Sequence, residues 1–274
     1  MKKLLGFSLL ILALLCVFIS CKEHDNEDTT PQEQHIHIEV IDEAVAPTID
    51  EDGLTEGKHC STCGKIIVPQ EKIPALNSPG LAYEVNDDGV TCTVTGKGSC
   101  TDSEIYIGTI IDGYKITAIA DRAFYNCTTI TSVSISNSVI SIGSEAFSAC
   151  TELAAVTISD SVTSIGRAAF FVCPSLTSVT LGDSVTTIGY YAFYHCKRLT
   201  SVVIPDSVTT IGKNAFFFES LASATFCNPN GWQLATSQDA ALDIKVDASE
   251  LSNPETAARY LKSDYNEYWW YRTE

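Results

Sequence analysis

One pattern in the sequence has the spacing of a metal site. Cys60 and Cys63 form a Cys-x-x-Cys pair followed by glycine, the knuckle in which two thiolates can share one zinc ion. A structural zinc ion needs two further ligands, for which His35, His37 and His59 lie close in the sequence. A disulfide or two thiols would fit the same spacing, so these alternatives stay open. No strand–helix–strand pattern surrounds the pair, which argues against a thioredoxin-like redox role.

The rest of the chain lacks the residue combinations that catalysis requires. General acid–base and nucleophilic catalysis need a base within hydrogen-bond reach of its partner. The sequence shows no carboxylate cluster, no His–Ser pair and no glycine-rich phosphate loop. The residues expected to face outward along the strands are mild: Ser132, Ser134, Ala155, Thr157, Ser178, Thr180, Ser201 and Val203. We therefore predict that the protein is not an enzyme.

A cluster of aromatic and basic residues is the strongest candidate for binding. Its members are Tyr190, Tyr191, Tyr194, His195, Lys197 and Arg198. Nearby positions add Arg167, Phe171, Phe217 and Phe218. Aromatic residues together with arginine are the usual content of interaction hot spots, so the cluster predicts a contact surface. The alternative is that part of these rings packs inward.

The element that must position this cluster is a 23-residue repeat. Phenylalanine recurs at Phe124, Phe147, Phe170, Phe193 and Phe216. Isoleucine precedes each by five residues, at Ile119, Ile142, Ile165, Ile188 and Ile211. Cysteine follows the first four by three, at Cys127, Cys150, Cys173 and Cys196. A repeat of this length indicates a solenoid, in which each coil buries its apolar side against its neighbours.

Each repeat predicts short extended pieces joined by corners. In the third coil, Val156 and Ile158 point inward by the period of two. Residues 162–165 form a second short strand, Gly166 relieves the backbone at the next corner, and Phe170 lies on a short helical or 3₁₀ segment. The repeat cysteines should pack as buried thiols, because parallel side chains reach the disulfide dihedral with difficulty; a ladder of disulfides is the alternative.

Distinct segments are expected at the two ends of the repeats. Residues 82–85 and 91–95 alternate across the turn at 86–89, which predicts a hairpin that covers the first coil. Cys92 and Cys100 flank a glycine-rich turn and could pair, while a buried thiol is the alternative for Cys100. Asn253 and Pro254 begin a helix as N-cap and first residue, and the aromatic end at 265–271 should cover the last coil.

The beginning of the chain has the features of an export signal. Lys2 and Lys3 precede an apolar run over residues 4–19. Residues 18–21, Phe-Ile-Ser-Cys, resemble a bacterial lipobox, which implies acylation of Cys21 and a lipid anchor. A plain cleaved signal or a short anchor is the alternative. The net charge of −17 excludes a typical nucleic-acid binder, and the acidic residues between Lys22 and Lys58 indicate a solvated tether.

The repeat unit resembles a known family. The pattern C-x-x-L-x-x-V-x-I-x-D-S-V-x-x-I-G-x-x-A-F, over about Leu81 to Phe226, is similar to the BspA-type (Treponema pallidum-type) leucine-rich repeat of bacterial surface proteins. The resemblance implies secretion or surface anchoring and, as for some members, adhesin-like binding. Residues 37–74 resemble a small zinc-ribbon-like module of gut bacterial surface proteins, with Ile49 where that module usually has a cysteine.

Together these observations predict the organisation of the chain. Residues 1–20 form a lipoprotein signal peptide, 21–39 an acidic tether, 40–75 a small Cys-x-x-Cys module, 76–226 the leucine-rich repeat domain and 227–274 a C-terminal cap. The fold class is an α+β leucine-rich repeat solenoid with a hairpin N-cap and a helical C-cap. The expected function is non-catalytic recognition of a surface protein or glycan of a host or neighbouring bacterium, from a lipid-anchored position on the outer membrane. The alternative is a structural display or spacer protein without a ligand of its own.

Overall fold

The computed structural model describes residues 38–73, 75–238 and 244–273. Cys21, His35 and His37 lie outside these residues, so their predicted roles in lipid attachment and zinc binding remain predictions. The contacts divide the chain into two compact units. Residues 38–45 and 54–72 belong to the smaller unit, and residues 46–53 belong to the larger unit together with the chain from Ile73 onward. Within the described residues, no helix is long and apolar enough to cross a membrane.

The smaller unit is built on a three-stranded antiparallel sheet. The strands in this part of the sequence are β1 (Glu39–Asp42), β2 (Gly53–Leu54), β3 (Gly57–Cys60), β4 (Ile66–Val68) and β5 (Lys72–Ile73). One residue of β2 and one of β5 are assigned to each unit. β3 lies between β1 and β4, and His59 is opposite both Val40 and Ile66. This sheet contains the Cys-x-x-Cys pair at the end of β3.

A hairpin precedes the repeats of the larger unit, as the alternating sequence predicts. β6 (Ala82–Val85) and β7 (Thr91–Gly96) pair antiparallel across a turn in which the Gly89 amide donates to the Asn86 carbonyl oxygen at 3.0 Å. β8 (Glu104–Ile107), β9 (Ile110–Ile111) and β10 (Tyr114–Ile119) follow. Because β7 pairs parallel to β10, the hairpin covers the open edge of the first coil and confirms the predicted N-cap.

The repeats form a solenoid with two strand-bearing sides. The strands are β11 (Ser132–Ile135), β12 (Ser141–Ile142), β13 (Ala155–Thr157), β14 (Ser164–Ile165), β15 (Ser178–Thr180), β16 (Thr187–Ile188), β17 (Ser201–Ile204), β18 (Thr210–Ile211) and β19 (Ser223–Phe226). On one side β8, β11, β13 and β15 form a parallel sheet, and β17 pairs with β19. On the other side β10, β12, β14, β16 and β18 pair in parallel. Val156 lies opposite Val179, which confirms a register of one repeat per coil.

The core contains a continuous ladder of phenylalanine rings. The five repeat phenylalanines have no exposed surface. Successive centroids are 4.9, 5.3, 5.2 and 5.4 Å apart, and neighbouring planes lie within 6° of each other. Offset stacked rings at such distances contribute beyond their burial, so the ladder joins the coils energetically. The period that predicted the solenoid therefore corresponds to its central stabilising element.

The repeat cysteines are thiols rather than a disulfide ladder. Cys150, Cys173 and Cys196 are buried, and Cys127 is half-buried. Each buried Sγ donates to a phenylalanine carbonyl oxygen of the preceding coil, at 3.1 to 3.3 Å. Cys92 and Cys100 are likewise buried thiols, so they form no disulfide with each other. The prediction of buried thiols is confirmed for Cys150, Cys173 and Cys196, whereas Cys127 is a half-buried thiol; for Cys100 the buried thiol is the alternative that is observed.

The segment around each repeat phenylalanine is a chain of tight turns instead of a short helix or 3₁₀ segment. Two residues in each of the first four coils have left-handed backbone angles, such as Tyr191 and His195, each with φ of 60°, and the fifth coil has one, Asn214. This geometry points alternate N–H groups along the solenoid: the Tyr191, Phe193 and His195 amides donate to the next coil at 3.0, 2.8 and 3.1 Å. Hydrogen bonds between coils thus replace those that a helix would make within one coil.

Glycine recurs at the corners of the coils for a reason other than the relief of backbone strain that is expected from the sequence. Gly189 does not have a left-handed backbone angle. A Cβ atom there would lie 2.6 Å from the Arg167 nitrogen and from the Gly166 carbonyl carbon of the preceding coil. Glycine is therefore needed because two backbones approach closely at this corner, rather than for its conformational freedom.

The C-terminal cap closes the other end of the solenoid. It consists of β20 (Trp232–Ala235), β21 (Ile244–Lys245), α1 (Ala248–Leu251), α2 (Pro254–Arg259), a π-helical turn at Tyr260–Asp264, and β22 (Trp269–Arg272). The Asn253 side chain accepts the Thr256 amide at 2.9 Å and caps α2 as predicted. β22 pairs antiparallel with β18, so the aromatic end of the chain covers the last coil, and the predicted cap is confirmed.

Candidate functional site

The Cys-x-x-Cys pair lies in a tight turn at the end of β3. Cys60 is buried and Cys63 is exposed, and the Gly64 amide donates to the Cys60 carbonyl oxygen at 2.9 Å. His59, one of the predicted ligands, has its Nδ1 2.7 Å from Oδ1 of Asp42 on β1. No group of three His, Cys, Asp or Glu side chains within the described ranges is arranged to hold a metal ion. The described part of the chain therefore supplies two thiols, and zinc binding remains a prediction.

The outward residues of the strand side offer little chemistry. All eight residues predicted to face outward are half-buried or exposed, which confirms their orientation. Seven of them are serine, threonine or alanine, and the eighth, Val203, is an exposed apolar residue. Hydroxyls without a neighbouring base or acid cannot act as nucleophiles or transfer protons efficiently. The outward residues of β11, β13, β15 and β17 thus form a regular, uncharged surface, and a charged residue, Glu104, is exposed on the neighbouring β8.

The turn side of the third to fifth coils carries a second row of rings. Phe171, Tyr194 and Phe217 each follow a ladder phenylalanine by one residue, and each is half-buried. Tyr194 stacks on Phe171 at a centroid distance of 5.2 Å and 6°, and on Phe217 at 5.3 Å and 16°. The 23-residue spacing places equivalent side chains in neighbouring coils, so these rings form an outer ladder parallel to the buried one.

Further rings of the predicted cluster surround this outer ladder. Tyr191 meets Tyr194 nearly perpendicularly, at 4.9 Å and 75°. Tyr190 packs beside Tyr191 at 4.6 Å and lies under the Arg167 guanidinium, whose Cζ is 4.9 Å from the ring centroid. Both tyrosines are half-buried. The structure thus brings the predicted tyrosines together in one surface cluster.

The basic residues of the cluster lie at its border. His195 contacts Tyr194 edge to face at 4.2 Å, while Lys197 and Arg198 are exposed. The turn segments at residues 166–173, 189–196 and 212–218 contain no aspartate or glutamate, although the chain has a net charge of −17. We call the clustered rings and the basic residues beside them the aromatic face; its members are Arg167, Phe171, Tyr190, Tyr191, Tyr194, His195, Lys197, Arg198 and Phe217.

Two residues correct the composition expected from the sequence. Phe218 is buried, with 2% of its surface exposed, and belongs to the core. Trp269, on β22 of the cap, lies beside Tyr190 at 6.5 Å and extends the cluster. Trp269 is far from the repeats in sequence, so only the return of β22 onto the last coil reveals it. The period of Phe171, Tyr194 and Phe217, in contrast, is a signal that the sequence does contain.

The buried thiols do not form a reactive site. Burial raises the pKa of Cys196 to about 12, and it also raises the pKa of Cys150 and Cys173. A thiol reacts as its thiolate, which burial in apolar surroundings disfavours. These cysteines therefore act as small core residues with a hydrogen bond to the preceding coil.

A shallow cleft of about 560 Å³ lies in the C-terminal cap. Its lining includes Asn230, Trp232, Lys245 and Arg272. Arg272 already donates to Asp206 at 2.9 Å. Trp232 is buried, and its indole N–H donates to the Asn228 carbonyl oxygen. Arg272 and Trp232 are thus engaged in contacts that hold the cap, and we take the aromatic face as the candidate functional site.

Comparisons with known proteins agree with this architecture. The model of the BspA type leucine rich repeat region matches residues 117–232 in six copies. The T. pallidum Leucine Rich Repeat protein, TpLRR, is 32% identical over 55% of this chain and 70% of its own, with a TM-score of 0.52. A leucine-rich repeat protein from Bacteroides ovatus is 31% identical over 54% of this chain and 39% of its own, with a TM-score of 0.46.

A leucine rich cell surface protein from Faecalibacterium prausnitzii is also similar. It is 27% identical over 62% of this chain and 60% of its own, with a TM-score of 0.38. No match was found among curated proteins. This chain is 32% identical to the T. pallidum protein and covers 70% of that protein's length. The model of the BspA type repeat also matches residues 117–232 of this chain. The chain therefore belongs to the BspA-type leucine-rich repeat family.

Proposed function

We propose that the protein is a non-catalytic recognition protein of a bacterial cell surface. In this proposal, the aromatic face contacts a surface protein or glycan of a host or neighbouring cell. The observation that carries the proposal is a set of half-buried rings bordered by Arg167, Lys197 and Arg198, in turn segments (166–173, 189–196 and 212–218) that contain no acidic residue although the chain has a net charge of −17. Aromatic residues and arginine are enriched where protein surfaces bind partners, and charge of one sign attracts partners of the other.

The proposed location rests on the beginning of the chain. The signal-like residues 1–20 and the lipobox-like residues 18–21 support export and acylation of Cys21. The acidic residues that follow would hold the folded units away from the membrane as a tether. The similar F. prausnitzii protein is described as a cell surface protein, which is consistent with this location. Replacement of Cys21 by Ser should abolish incorporation of labelled palmitate; unchanged labelling would contradict the anchor.

The binding role is tested by surface variants of the purified protein. Tyr190→Ser/Tyr191→Ser removes two rings without opening the outer ladder, and Lys197→Ala/Arg198→Ala removes the exposed charges. The matched control is Tyr125→Ser, which removes an exposed ring from the first coil. Binding is measured against immobilised matrix proteins and glycans, with circular dichroism to confirm folding. We expect both face variants, and not the control, to weaken binding about tenfold, as for loss of hot-spot residues.

The spacer alternative has its own outcome. The mild strand side, with Ser178 and Thr180 as typical outward residues, is consistent with a protein that only displays other surfaces. Absence of binding to every immobilised partner, or equal binding by all variants, would favour the spacer and reject the aromatic face. Zinc at Cys60 and Cys63 is a separate proposal: metal analysis that finds no zinc, with both thiols titratable, would contradict it.

A further inference from the structure

We infer that the aromatic face binds an acidic polypeptide segment rather than a carbohydrate. This inference rests on the proposed function, because it specifies the partner of the same surface. Two observations lead to it: the faces of the central ring, Tyr194, are covered by neighbouring rings, and exposed cations border the cluster.

The central ring of the outer ladder, Tyr194, cannot offer its faces to a ligand. Tyr194 lies between a ring of the preceding coil, Phe171, and a ring of the following coil, Phe217, nearly parallel to both. Both faces of Tyr194 are therefore occupied. Tyr190 has the Arg167 guanidinium over its ring. Flat stacking of a ligand ring on an aromatic side chain needs a free face, and Tyr194 has none to offer to a sugar.

The three tyrosines of the cluster are half-buried, so each still exposes part of its surface. Because the faces of Tyr194 are taken, the perpendicular rings of Tyr191 and His195 meet its edge. The edge of an aromatic ring carries the positive part of its quadrupole and prefers negative or electron-rich groups. The phenol hydroxyl donates hydrogen bonds, which carboxylates accept strongly. A ring edge or hydroxyl within the exposed part of these tyrosines thus favours an acidic partner.

The charges around the rings favour the same partner. Arg167, Lys197 and Arg198 are exposed. Glu145 of the second coil is 2.8 Å from Nε of Arg122 and 3.7 Å from a guanidinium nitrogen of Arg167. Glu267 of the cap accepts from the Asn214 side chain. Glu145 and Glu267 are thus engaged, while Lys197, Arg198 and one carboxylate, Glu219, are exposed.

A polypeptide fits this surface better than an acidic polysaccharide. The half-buried rings of Phe171, Tyr194 and Phe217 still present apolar atoms, whose burial is favourable only against apolar groups of a partner. A sulfated glycan offers anions without apolar side chains. A segment that combines glutamate or aspartate with tyrosine or aliphatic residues can satisfy the cations, the ring edges and the apolar surface together.

The test compares two synthetic peptides of equal length. One alternates glutamate with tyrosine and alanine; the other replaces each glutamate by glutamine. Heparin and a neutral mannan serve as carbohydrate probes. Titration calorimetry uses the protein, the Lys197→Ala/Arg198→Ala variant, and Lys115→Ala as a control for loss of an exposed charge on β10. We expect the glutamate peptide to bind about tenfold more tightly than the glutamine peptide, and this preference to shrink in about 0.5 M salt.

The outcomes separate the inference from the proposed function. Loss of the glutamate preference in the Lys197/Arg198 variant, with the control unchanged, supports the inference. Equal affinity for both peptides, or no binding of the glutamate peptide, overturns it. If mannan or heparin binds and the Tyr190/Tyr191 variant weakens that binding, the inference fails and surface recognition stands. If no probe responds to any face variant, the proposed function fails as well. Self-association that the face variants abolish would assign the surface to copies of this chain and overturn the inference.

Discussion

The buried phenylalanine ladder makes a quantitative prediction about how its rings stabilise the solenoid. Phe170 has a stacked ring on either side, at 5.3 Å from Phe147 and 5.2 Å from Phe193. Phe124, at the end of the ladder, has one stacked ring, at 4.9 Å. Neither side chain has exposed surface. Replacement by leucine keeps an apolar side chain at either position and removes the stacked pairs, two for Phe170 and one for Phe124.

The expected magnitudes follow from this difference. Each stacked pair contributes about 0.5–1.5 kcal/mol beyond burial. A change of volume with retained hydrophobicity costs up to about 1.5 kcal/mol at either site. Phe170→Leu should therefore lower the free energy of unfolding by about 2–4 kcal/mol, and Phe124→Leu by about 1 kcal/mol less. The ring at the other end, Phe216, stacks only on Phe193 and should behave like Phe124.

Urea unfolding followed by circular dichroism and by tryptophan fluorescence measures these values. Coincident transitions show that one cooperative unit is observed, which matters because repeat proteins can unfold in parts. The slope of the free energy of unfolding against urea concentration should be the same in all variants, so that a shift in the midpoint of unfolding reports a change in stability. Equal losses for Phe170→Leu, Phe124→Leu and Phe216→Leu would refute the reasoning, because burial alone would then account for all three.

Three further predictions concern the thiols, the corners and the turns. Burial raises the pKa of Cys196 to about 12, so the thiol stabilises the fold below its unfolded pKa of about 8.5 and this contribution is lost as pH rises between the two values. In urea titrations from about pH 8 to about pH 11, Cys196→Ala should lose less stability than the unmodified protein, and parallel losses would contradict this. Gly189→Ala should cost about 1–3 kcal/mol in urea unfolding, because its Cβ would lie 2.6 Å from the Arg167 nitrogen; an unchanged midpoint would exclude the close approach. Val172 has a φ of 55°, which is strained for a β-branched residue, so Val172→Asn should raise the thermal midpoint by a stabilisation of about 1 kcal/mol; a lower midpoint would show that the lost valine contacts outweigh the strain.

The solenoid and its caps were predictable because their signals are local or periodic. Phe170 and Cys173 recur with the coil, and the alternation on either side of Gly89 identifies the hairpin. The turns around each ladder phenylalanine were less predictable. Their left-handed residues, such as Val172, make sense only when the next coil supplies carbonyl oxygens, as Tyr194 does for the Val172 amide at 2.8 Å. The helical propensity of the residues in one coil contains no information about a carbonyl oxygen that the next coil supplies.

The candidate site was predictable in composition but not in geometry. Tyr190 and Tyr194 stand out in the sequence as aromatic residues next to basic ones. Their exposure depends on side-chain direction, which separates Phe217, half-buried, from its neighbour Phe218, which is buried. Trp269 reaches Tyr190 through a strand pairing between residues far apart in sequence. Such long-range pairings follow from packing of the whole cap, which no local pattern contains.

The repeat itself limits what an aromatic surface on this fold can recognise. Neighbouring coils follow each other at the spacing of paired strands, about 4.8 Å, which is close to the distance between stacked rings. Aromatic residues in consecutive coils at one repeat position therefore cover each other's faces, as Phe171, Tyr194 and Phe217 do. Tyr125 occupies the same position in the first coil, but Ser148 follows it in the second, so it lacks a stacked ring on that side. Ser148 also precedes Phe171 at this repeat position, so Phe171 has no stacked ring on that side either. A free ring face on this side of the solenoid is thus expected at the end of a row, whereas a ring inside a row, such as Tyr194, has both faces covered.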